Sequence, residues 1–196
     1  EWPIRSLERV EVYRGYAPAS LGGAAIGGAI DLVPRDADTP LAAGLSTSRY
    51  KRYSADIFAG RLRETPKARH STSLFSQGHV AGGAFPYFTD NGTPYERMDD
   101  GIQTRTNNGS GQGNILGRYR IELGQTTLTF LNAFLKRSEG LPGHINNPSE
   151  SASLETQQNL LGLQAKSLRG KPLLTTTSWW SHRNETYDDR ADELGL

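Results

Sequence analysis

Cysteine, long apolar runs and a strong charge of either sign are all missing from this sequence of 196 residues. Without cysteine, a disulfide, a zinc ribbon and a thiol nucleophile are excluded. No run of about eighteen apolar residues occurs, which excludes a transmembrane helix. The formal net charge is only +1, so no overall field attracts nucleic acid, and we expect no nucleic-acid partner.

Hydrophobic residues are also scarce, at 35% of the chain, whereas glycine and proline contribute 22 and 10 residues. This composition argues against a compact helical protein and is typical of a loop-rich β protein or a partly disordered chain. The only methionine is Met98, and the chain opens on Glu1. We therefore expect a fragment, in which the lack of a visible signal peptide carries no weight.

Two short strands separated by glycine-rich sequence are predicted near the start of the chain. Residues 7–13 (LERVEVY) alternate with a period of two, which indicates a strand that ends at Arg14-Gly15. A second strand is predicted over residues 30–33 and stops at Pro34. The glycine pairs at residues 22–28 lack the G-x-G-x-x-G spacing of a dinucleotide site and lead into a strand instead of a helix. The plain alternative is a glycine-rich turn of any small β domain.

The stretch SLERVEVYRGYAPASLGGAAIGGAIDLVPR (residues 6–35) resembles the end of the plug domain of TonB-dependent outer-membrane receptors. That family shows an I-E-R-I-E-V strand, then R-G-P, a small-residue turn and A-I-G-G-V-I-N-I. The chain departs from the pattern at residues 16–18, where the family has proline directly after glycine, at Asp31 in place of asparagine, and at Pro34 in place of threonine. It matches the pattern at Glu8, Arg9, Glu11, Val12, Arg14, Gly15, Gly22, Ala25, Ile26, Gly27, Gly28 and Ile30.

The rest of the chain has the pattern expected of a transmembrane barrel wall, in which strands of roughly ten residues alternate apolar and polar side chains. Short connections at 63–67, 124–125 and 168–172 alternate with long segments at 80–113 and 138–153, and we expect a polar tail from Arg183. Only the connection at 49–52 breaks this order. The seven candidate strands are 42–49, 53–62, 68–79, 114–123, 126–137, 154–167 and 173–182.

The expected fold is therefore all-β, a partial transmembrane antiparallel β-barrel preceded by the C-terminal part of a plug domain. We assign residues 1–40 to the plug and residues 41–196 to the N-terminal strands of a truncated barrel, about seven of the roughly 22 strands of a plugged transporter. The tail ADELGL lacks the terminal aromatic of the family's last strand, so we expect the chain to be cut at both ends. Aromatic girdle positions are predicted for Tyr119, Trp179 and Trp180, the alternative being core aromatics of a soluble β domain.

The resemblance implies a receptor in the outer membrane of a Gram-negative bacterium that binds a scarce nutrient and imports it into the periplasm. The expected cargo is a ferric siderophore, or else cobalamin, haem or an oligosaccharide. The implied partners are the TonB energy-transducing complex of the inner membrane, the small nutrient and outer-membrane lipid, and the chain is expected to be monomeric, without a cofactor and without enzyme activity. The alternatives are a non-transporting outer-membrane or surface β-barrel for binding or adhesion, and a secreted β-domain enzyme that acts on carbohydrate.

The resemblance also implies roles for residues of the plug. Arg14, the arginine of the R-G motif, is the first candidate for a contact between plug and barrel, followed by Arg9 and Glu11. A buried guanidinium needs a carboxylate partner. The alternative is that these side chains are solvated charges on an edge strand. The predicted turn glycines of the plug are Gly15, Gly22, Gly27 and Gly28.

Aromatic residues in the segment 84–100 and one histidine are the candidate ligand contacts. Aromatic rings in a loop can stack on a ligand, but they can also pack the loop against itself. No metal or catalytic site is expected, because the acidic residues match no EF-hand, the histidines lack H-x-x-H spacing, and no G-x-S-x-G elbow occurs. The candidates are Phe85, Tyr87, Phe88, Tyr95 and His144.

Overall fold

The computed structural model describes residues 4–15, 27–49, 51–145, 147–167 and 174–194. These residues confirm the expected all-β chain, with a single 3₁₀ turn at Ile4–Ser6 and no α-helix in the described ranges. No helix among them is long and apolar enough to cross a membrane. The strands are β1 (Leu7–Gly15), β2 (Gly27–Pro34), β3 (Leu41–Ser48), β4 (Arg52–Glu64), β5 (Arg69–Ala81), β6 (Pro86–Thr89), β7 (Gly101–Thr104), β8 (Ser110–Leu123), β9 (Thr126–Gly140), β10 (Gly143–His144), β11 (Asn147–Pro148), β12 (Ser153–Ser167) and β13 (Leu174–Asp188).

The seven long strands after residue 40 form one antiparallel sheet in the order β13-β12-β9-β8-β5-β4-β3. Each of these strands pairs with the long strand that precedes or follows it in the chain, so the sheet is a continuous meander. The long segments 82–109 and 141–152 lie at one end of this sheet. The tight turns at 65–68 and 124–125 lie at the other end, as the connection lengths predicted.

The hydrophobic core lies on one face of the sheet, which we call the core face. Phe58, Phe75 and Leu116 are directly opposite one another on β4, β5 and β8, and each is 5% exposed or less. Ala42, Leu131 and Ala133 pack against them. Because successive side chains of a strand point to opposite faces, the remaining alternate positions form the second face, which we call the belt face.

The first two strands form a separate antiparallel hairpin, and the linker after it crosses the core face. Within this linker (residues 35–40), the guanidinium of Arg35 lies 5.4 Å from the ring centroid of Phe58. Ala37 is only 3% exposed, and the carbonyl of Pro40 accepts a hydrogen bond from the backbone N–H of Gly60 at 3.0 Å. The linker therefore covers the apolar cluster of the core face.

Three expectations about element bounds were wrong. The segments 80–113 and 138–153 contain the small hairpins β6–β7 and β10–β11. The predicted polar tail from Arg183 is instead strand, because residues 183–188 pair with β12 as far as Asp188 opposite Ser153. The backbone hydrogen bonds that β12 offers outweigh the polar composition of this segment. The second strand begins at Gly27, three residues before the predicted start, since Gly27 pairs with Gly15.

Candidate functional site

The belt face carries almost all of the large apolar side chains that the described strands of the sheet expose. The exceptions on the core face are Leu62, Trp179 and Tyr187. Soluble monomers rarely expose a contiguous apolar patch larger than about a few hundred Å². The exposed belt-face residues are Leu41, Leu45, Tyr53, Ile57, Leu74, Val80, Ile115, Tyr119, Leu123, Leu128, Phe130, Phe134, Leu163, Leu174 and Trp180.

This apolar belt runs obliquely across the hydrogen-bonded rows of the sheet. One row carries apolar or small residues on β3, β4, β5 and β8, and polar residues on β9, β12 and β13. In strand order its members are Leu45, Ala55, Gly78, Gly113, Lys136, Gln157 and Asn184. A second row, nearer the tight turns, is polar on β4 and β5, apolar on β8, β9 and β12, and polar again on β13, through Arg61, Thr72, Tyr119, Phe130, Leu163 and Ser178. The apolar positions therefore shift toward the tight turns from β3 to β12.

The joint between the linker and the sheet is polar. The Asp36 carboxylate accepts hydrogen bonds from the Ala37 backbone N–H at 2.9 Å and from the Ser71 hydroxyl at 3.0 Å. The guanidinium groups of Arg118 and Arg120 each lie 4.0 Å from it. Burial works against ionisation of Asp36, but these hydrogen bonds and positive charges outweigh it, so the pKa of Asp36 lies below its ordinary value.

Two of the predicted plug–barrel residues, Arg9 and Glu11, interact within their own hairpin. Arg9 donates to Glu11 at 2.6 Å and to Glu8 at 3.1 Å, and the Tyr13 hydroxyl donates to Glu11 at 2.6 Å. These hydrogen bonds hold the pKa of Glu11 below its usual value, with the bond from Tyr13 as the largest cause. Arg14 is exposed at the end of β1. A contact of Arg9, Glu11 and Arg14 with a barrel wall stays a prediction.

The contacts that do join the N-terminal segment to the sheet come from residues that sequence reasoning missed. Arg5 pairs with Asp56 of β4 at 2.6 Å, and Arg35 and Asp36 contact the core face as described above. No sequence pattern marks these residues, because each partner lies on a different strand, and only the packing brings the charges together.

The described turn glycines of the predicted plug lie where β1 ends and β2 begins, on either side of residues 16–26. Gly15, Gly27 and Gly28 have φ values of 86°, 108° and 125°, in a region that side chains rarely adopt. At Gly28 a Cβ atom would also collide with the carbonyl oxygen of Tyr13. Gly22 lies outside the described residues.

The structure brings two of the predicted aromatic contacts together and leaves two apart. Phe85 and Tyr87 meet edge to face, with ring centroids 6.4 Å apart. The guanidinium of Arg105, which sequence reasoning missed, lies 6.0 Å from the Tyr87 ring centroid and donates to the carbonyl of Gly143. Phe88 is largely exposed on β6, and Tyr95 is fully exposed at the tip of the β6–β7 hairpin.

Arg105 therefore links the β6–β7 hairpin to β10, where His144 lies directly after Gly143. One Nη atom of this guanidinium is buried and has no hydrogen-bond partner within the described part of the chain. The Arg105 side chain therefore lies packed between the β6–β7 hairpin and β10, beside the Tyr87 ring.

Two further residues hold the long segments together at this end of the sheet. The Asn107 amide donates to the carbonyls of Leu141 at 3.1 Å and Ala152 at 2.8 Å. The Glu193 carboxylate accepts from the Ser149 hydroxyl at 2.5 Å and from the backbone N–H of Ser151 at 2.9 Å. These hydrogen bonds, with that from Ser149 the largest cause, lower the pKa of Glu193 to about 2.

Comparison of the chain with protein-family models, with curated proteins and with solved structures gives no match. The fold and the site together define the class as an all-β chain built on one large antiparallel sheet, with an apolar belt on one face and a short linker packed on the other. Within the described residues, no group of three or more acidic or histidine side chains is arranged to hold a metal ion.

Proposed function

We propose that this chain is part of a TonB-dependent outer-membrane receptor and contains the C-terminal part of its plug and the first seven strands of its barrel. The receptor binds a nutrient, most simply a ferric siderophore, and imports it into the periplasm with energy from the TonB complex. It is a monomer of the outer membrane of a Gram-negative bacterium, and it performs no chemical step on its cargo.

A single relationship supports this proposal: the linker from the β1–β2 hairpin is fastened to the face of the sheet that is opposite the apolar belt. A barrel wall in a lipid bilayer needs one apolar face toward the lipid, and a plug domain must be held against the opposite face. Asp36, with its hydrogen bond from Ser71, is the residue that fastens the linker. A plain porin or adhesin has no use for such a linker.

Cargo binding is assigned to the end of the sheet where the two long segments lie. The Phe85 and Tyr87 pair, the Arg105 guanidinium and the β10 strand with His144 lie at this end, and Asn107 and Glu193 brace the backbone around them. Binding residues on loops work best when a rigid scaffold positions them, and these hydrogen bonds provide the rigidity.

A surface β-barrel that binds or adheres without transport is the second candidate. The observation that favours it is the tip of the β6–β7 hairpin, where Tyr95 and Met98 are almost completely exposed and where Phe88 and Ile102 are exposed as well. An exposed apolar tip of this kind is suited to a macromolecular partner.

Growth of a deletion strain tests the transport proposal. The strain is grown with one ferric siderophore or with haem as the sole source of iron, or with cobalamin as an essential nutrient. Growth on one of these nutrients should be lost in the deletion strain and restored by the intact gene. Equal growth on every source would exclude a role as sole importer. Retained growth together with a loss of cell-surface attachment would favour the adhesion candidate instead.

A further inference from the structure

A cluster of polar side chains interrupts the apolar surface of the belt face near the tight turns. Arg61 and Arg63 of β4, His70 and Thr72 of β5, and Tyr119 of β8 surround a cavity of about 250 Å³. The register places Arg63 opposite His70, and Arg61 opposite Thr72, with Tyr119 next in the same row. The cluster is therefore compact and combines residues from three neighbouring strands.

The two arginines of this cluster have no acidic partner in the described part of the chain. Elsewhere in the chain, Arg9, Arg120 and Arg183 each pair with a glutamate two residues away on the same strand. The described carboxylates on the belt face of the sheet are Glu155 and Asp188, which belong to the distant strands β12 and β13. Two exposed guanidinium groups side by side, with no counter-charge, form a site for an anion.

Hydrogen-bonding groups complete this site. The His70 ring nitrogen Nδ1 and the Tyr119 hydroxyl are 2.8 Å apart, so these two side chains hold each other in place beside the arginines. Thr72 contributes a further hydroxyl to the lining. Guanidinium groups with nearby hydroxyls are the groups that recognise phosphate in proteins.

The surface next to the cavity is apolar. On the same face, the next rows toward the long segments carry Ala59 and Leu74, and then Ile57. Leu74 and Ile57 are each about half exposed. A ligand with its phosphate between the arginines would extend along this apolar strip, so the complementary molecule is an amphiphile and not a free ion.

We propose that this cluster binds the phosphate head group of an anionic phospholipid, whose acyl chains lie along Leu74 and Ile57. The proposal rests on the proposed function, because it requires the belt face to contact a bilayer. Given that orientation, the lipid belongs to the periplasmic leaflet, since the cluster lies at the end of the sheet with the tight turns. Each arginine near a membrane surface contributes an attraction to anionic lipid.

Lipid titration of the purified protein in neutral detergent tests this site. The probes are phosphatidylglycerol and phosphatidylcholine with the same acyl chains, and bound lipid is counted by native mass spectrometry. The double variant R61Q/R63Q should bind phosphatidylglycerol at least about tenfold more weakly, while its binding of phosphatidylcholine stays unchanged. Both arginines are exposed, so the variant should keep the far-ultraviolet circular dichroism of the parent protein.

The matched control is R49Q/K51Q, which removes the same charge from the opposite end of the β3–β4 hairpin. It should change phosphatidylglycerol binding less than about twofold. An equal loss in both variants would overturn the proposal, because the preference would then reflect net charge alone. Inorganic phosphate is the third probe, and displacement of phosphatidylglycerol by phosphate at equal concentration would show an ion site and overturn the lipid assignment.

The result separates this proposal from the proposed function. If the parent protein and R61Q/R63Q both bind the two lipids equally, the head-group site is refuted, but the proposal that the sheet faces a bilayer is not. If the protein fails to associate with vesicles of either lipid, the membrane wall itself is refuted, and the lipid site with it.

Discussion

Arg5 and Asp56 form an ion pair, with Arg5 Nη1 2.6 Å from the carboxylate Oδ1 of Asp56. The pair joins the turn before β1 to the middle of β4, between residues that are 51 positions apart in the chain. The Asp56 side chain is only 11% exposed, whereas half of the Arg5 side chain remains accessible. Together with Asp36 at the linker, this contact attaches the N-terminal hairpin to the core face.

The first prediction concerns that ion pair. Asp56→Asn leaves Arg5 without its counter-charge, so the N-terminal segment should detach more readily, at a cost of about 1–2 kcal/mol. Hydrogen exchange of β1, β2 and the part of β4 around Asp56 measures the change and should be faster in the variant. Arg9→Gln is the matched control, because the partners of Arg9 lie in its own hairpin, and it should leave the exchange of β4 untouched. Unchanged exchange in Asp56→Asn would contradict the role of the pair.

The second prediction concerns Gly44, which lies opposite Asp56 on β3. A Cβ atom at this position would collide with Arg5 Nη1 and would lie 2.8 Å from Asp56 Oδ1. Gly44→Val should therefore displace the Arg5 side chain from Asp56 and destabilise the protein by about 1 kcal/mol, the contribution of that contact, even though valine favours strands. Gly113→Ala serves as the control, since its Cβ would meet nothing within 4 Å, and it should change stability by less than about 0.5 kcal/mol. Chemical unfolding in detergent compares the two, and equal stabilities would contradict the crowding at Gly44.

The third prediction concerns the pH dependence of the hydrogen bonds by which the Glu193 carboxylate holds the segment 141–152. The folded protein lowers the pKa of this carboxyl from 4.5 to about 2. The ionised form is therefore favoured by folding, and its contribution is complete above about pH 4.5 and is lost as the pH falls toward 2. Protease cleavage within the segment 141–152 should become faster over this range.

Two variants separate this carboxylate from its neighbours. The protease should cleave Glu193→Gln quickly at every pH, because a neutral amide accepts these hydrogen bonds more weakly than the charged carboxylate does. Glu150→Gln should behave like the parent protein, since it is the backbone N–H of Glu150 that bonds to Glu193. A pH dependence that persists in Glu193→Gln would rule out Glu193 as its source.

The fourth prediction concerns the proposed cargo site. Tyr87→Ala removes the ring next to Arg105, and we expect the affinity for cargo to fall roughly tenfold, equivalent to about 1.4 kcal/mol. Tyr95→Ala removes a ring at the exposed hairpin tip and should leave cargo affinity nearly unchanged. Binding of the labelled nutrient to de-energised cells measures both. The opposite order of effects would place the cargo site at the hairpin tip and contradict its assignment to Tyr87 and Arg105.

Several features of this fold could be predicted from the sequence because they depend on local alternation. The period-two pattern at 114–123 becomes β8, and the tight turn at 124–125 and the two long segments are found where they were expected. The predicted short turn at 168–172 lies outside the described residues. Bounds were less accurate where polar residues continue a strand, as at 183–188, because there the pairing with β12 determines the conformation. The β6–β7 hairpin was missed for a related reason, since its two strands of four residues carry too few alternating positions.

The candidate site was predictable only in part. Phe85 and Tyr87 stand out as aromatics in a loop, but Arg105 has no sequence signal, and it is placed beside Tyr87 by the pairing of Pro86 with Thr104. The charged side chains of β1 were expected to contact the sheet. Arg9 instead pairs with Glu11, because residues two positions apart on a strand point to the same side.

The sequence by itself determined that the chain forms strands, which of their faces is apolar, and where the connections are short. These properties follow from the identity of adjacent residues, and alternation along one strand requires no knowledge of its neighbours. Only the tertiary structure decided that the belt runs obliquely, that Asp36 and Arg5 attach the hairpin, and that Arg61 and Arg63 share a cavity with His70 and Tyr119. The register between strands sets these relationships, because a shift of one residue would move every side chain to the opposite face.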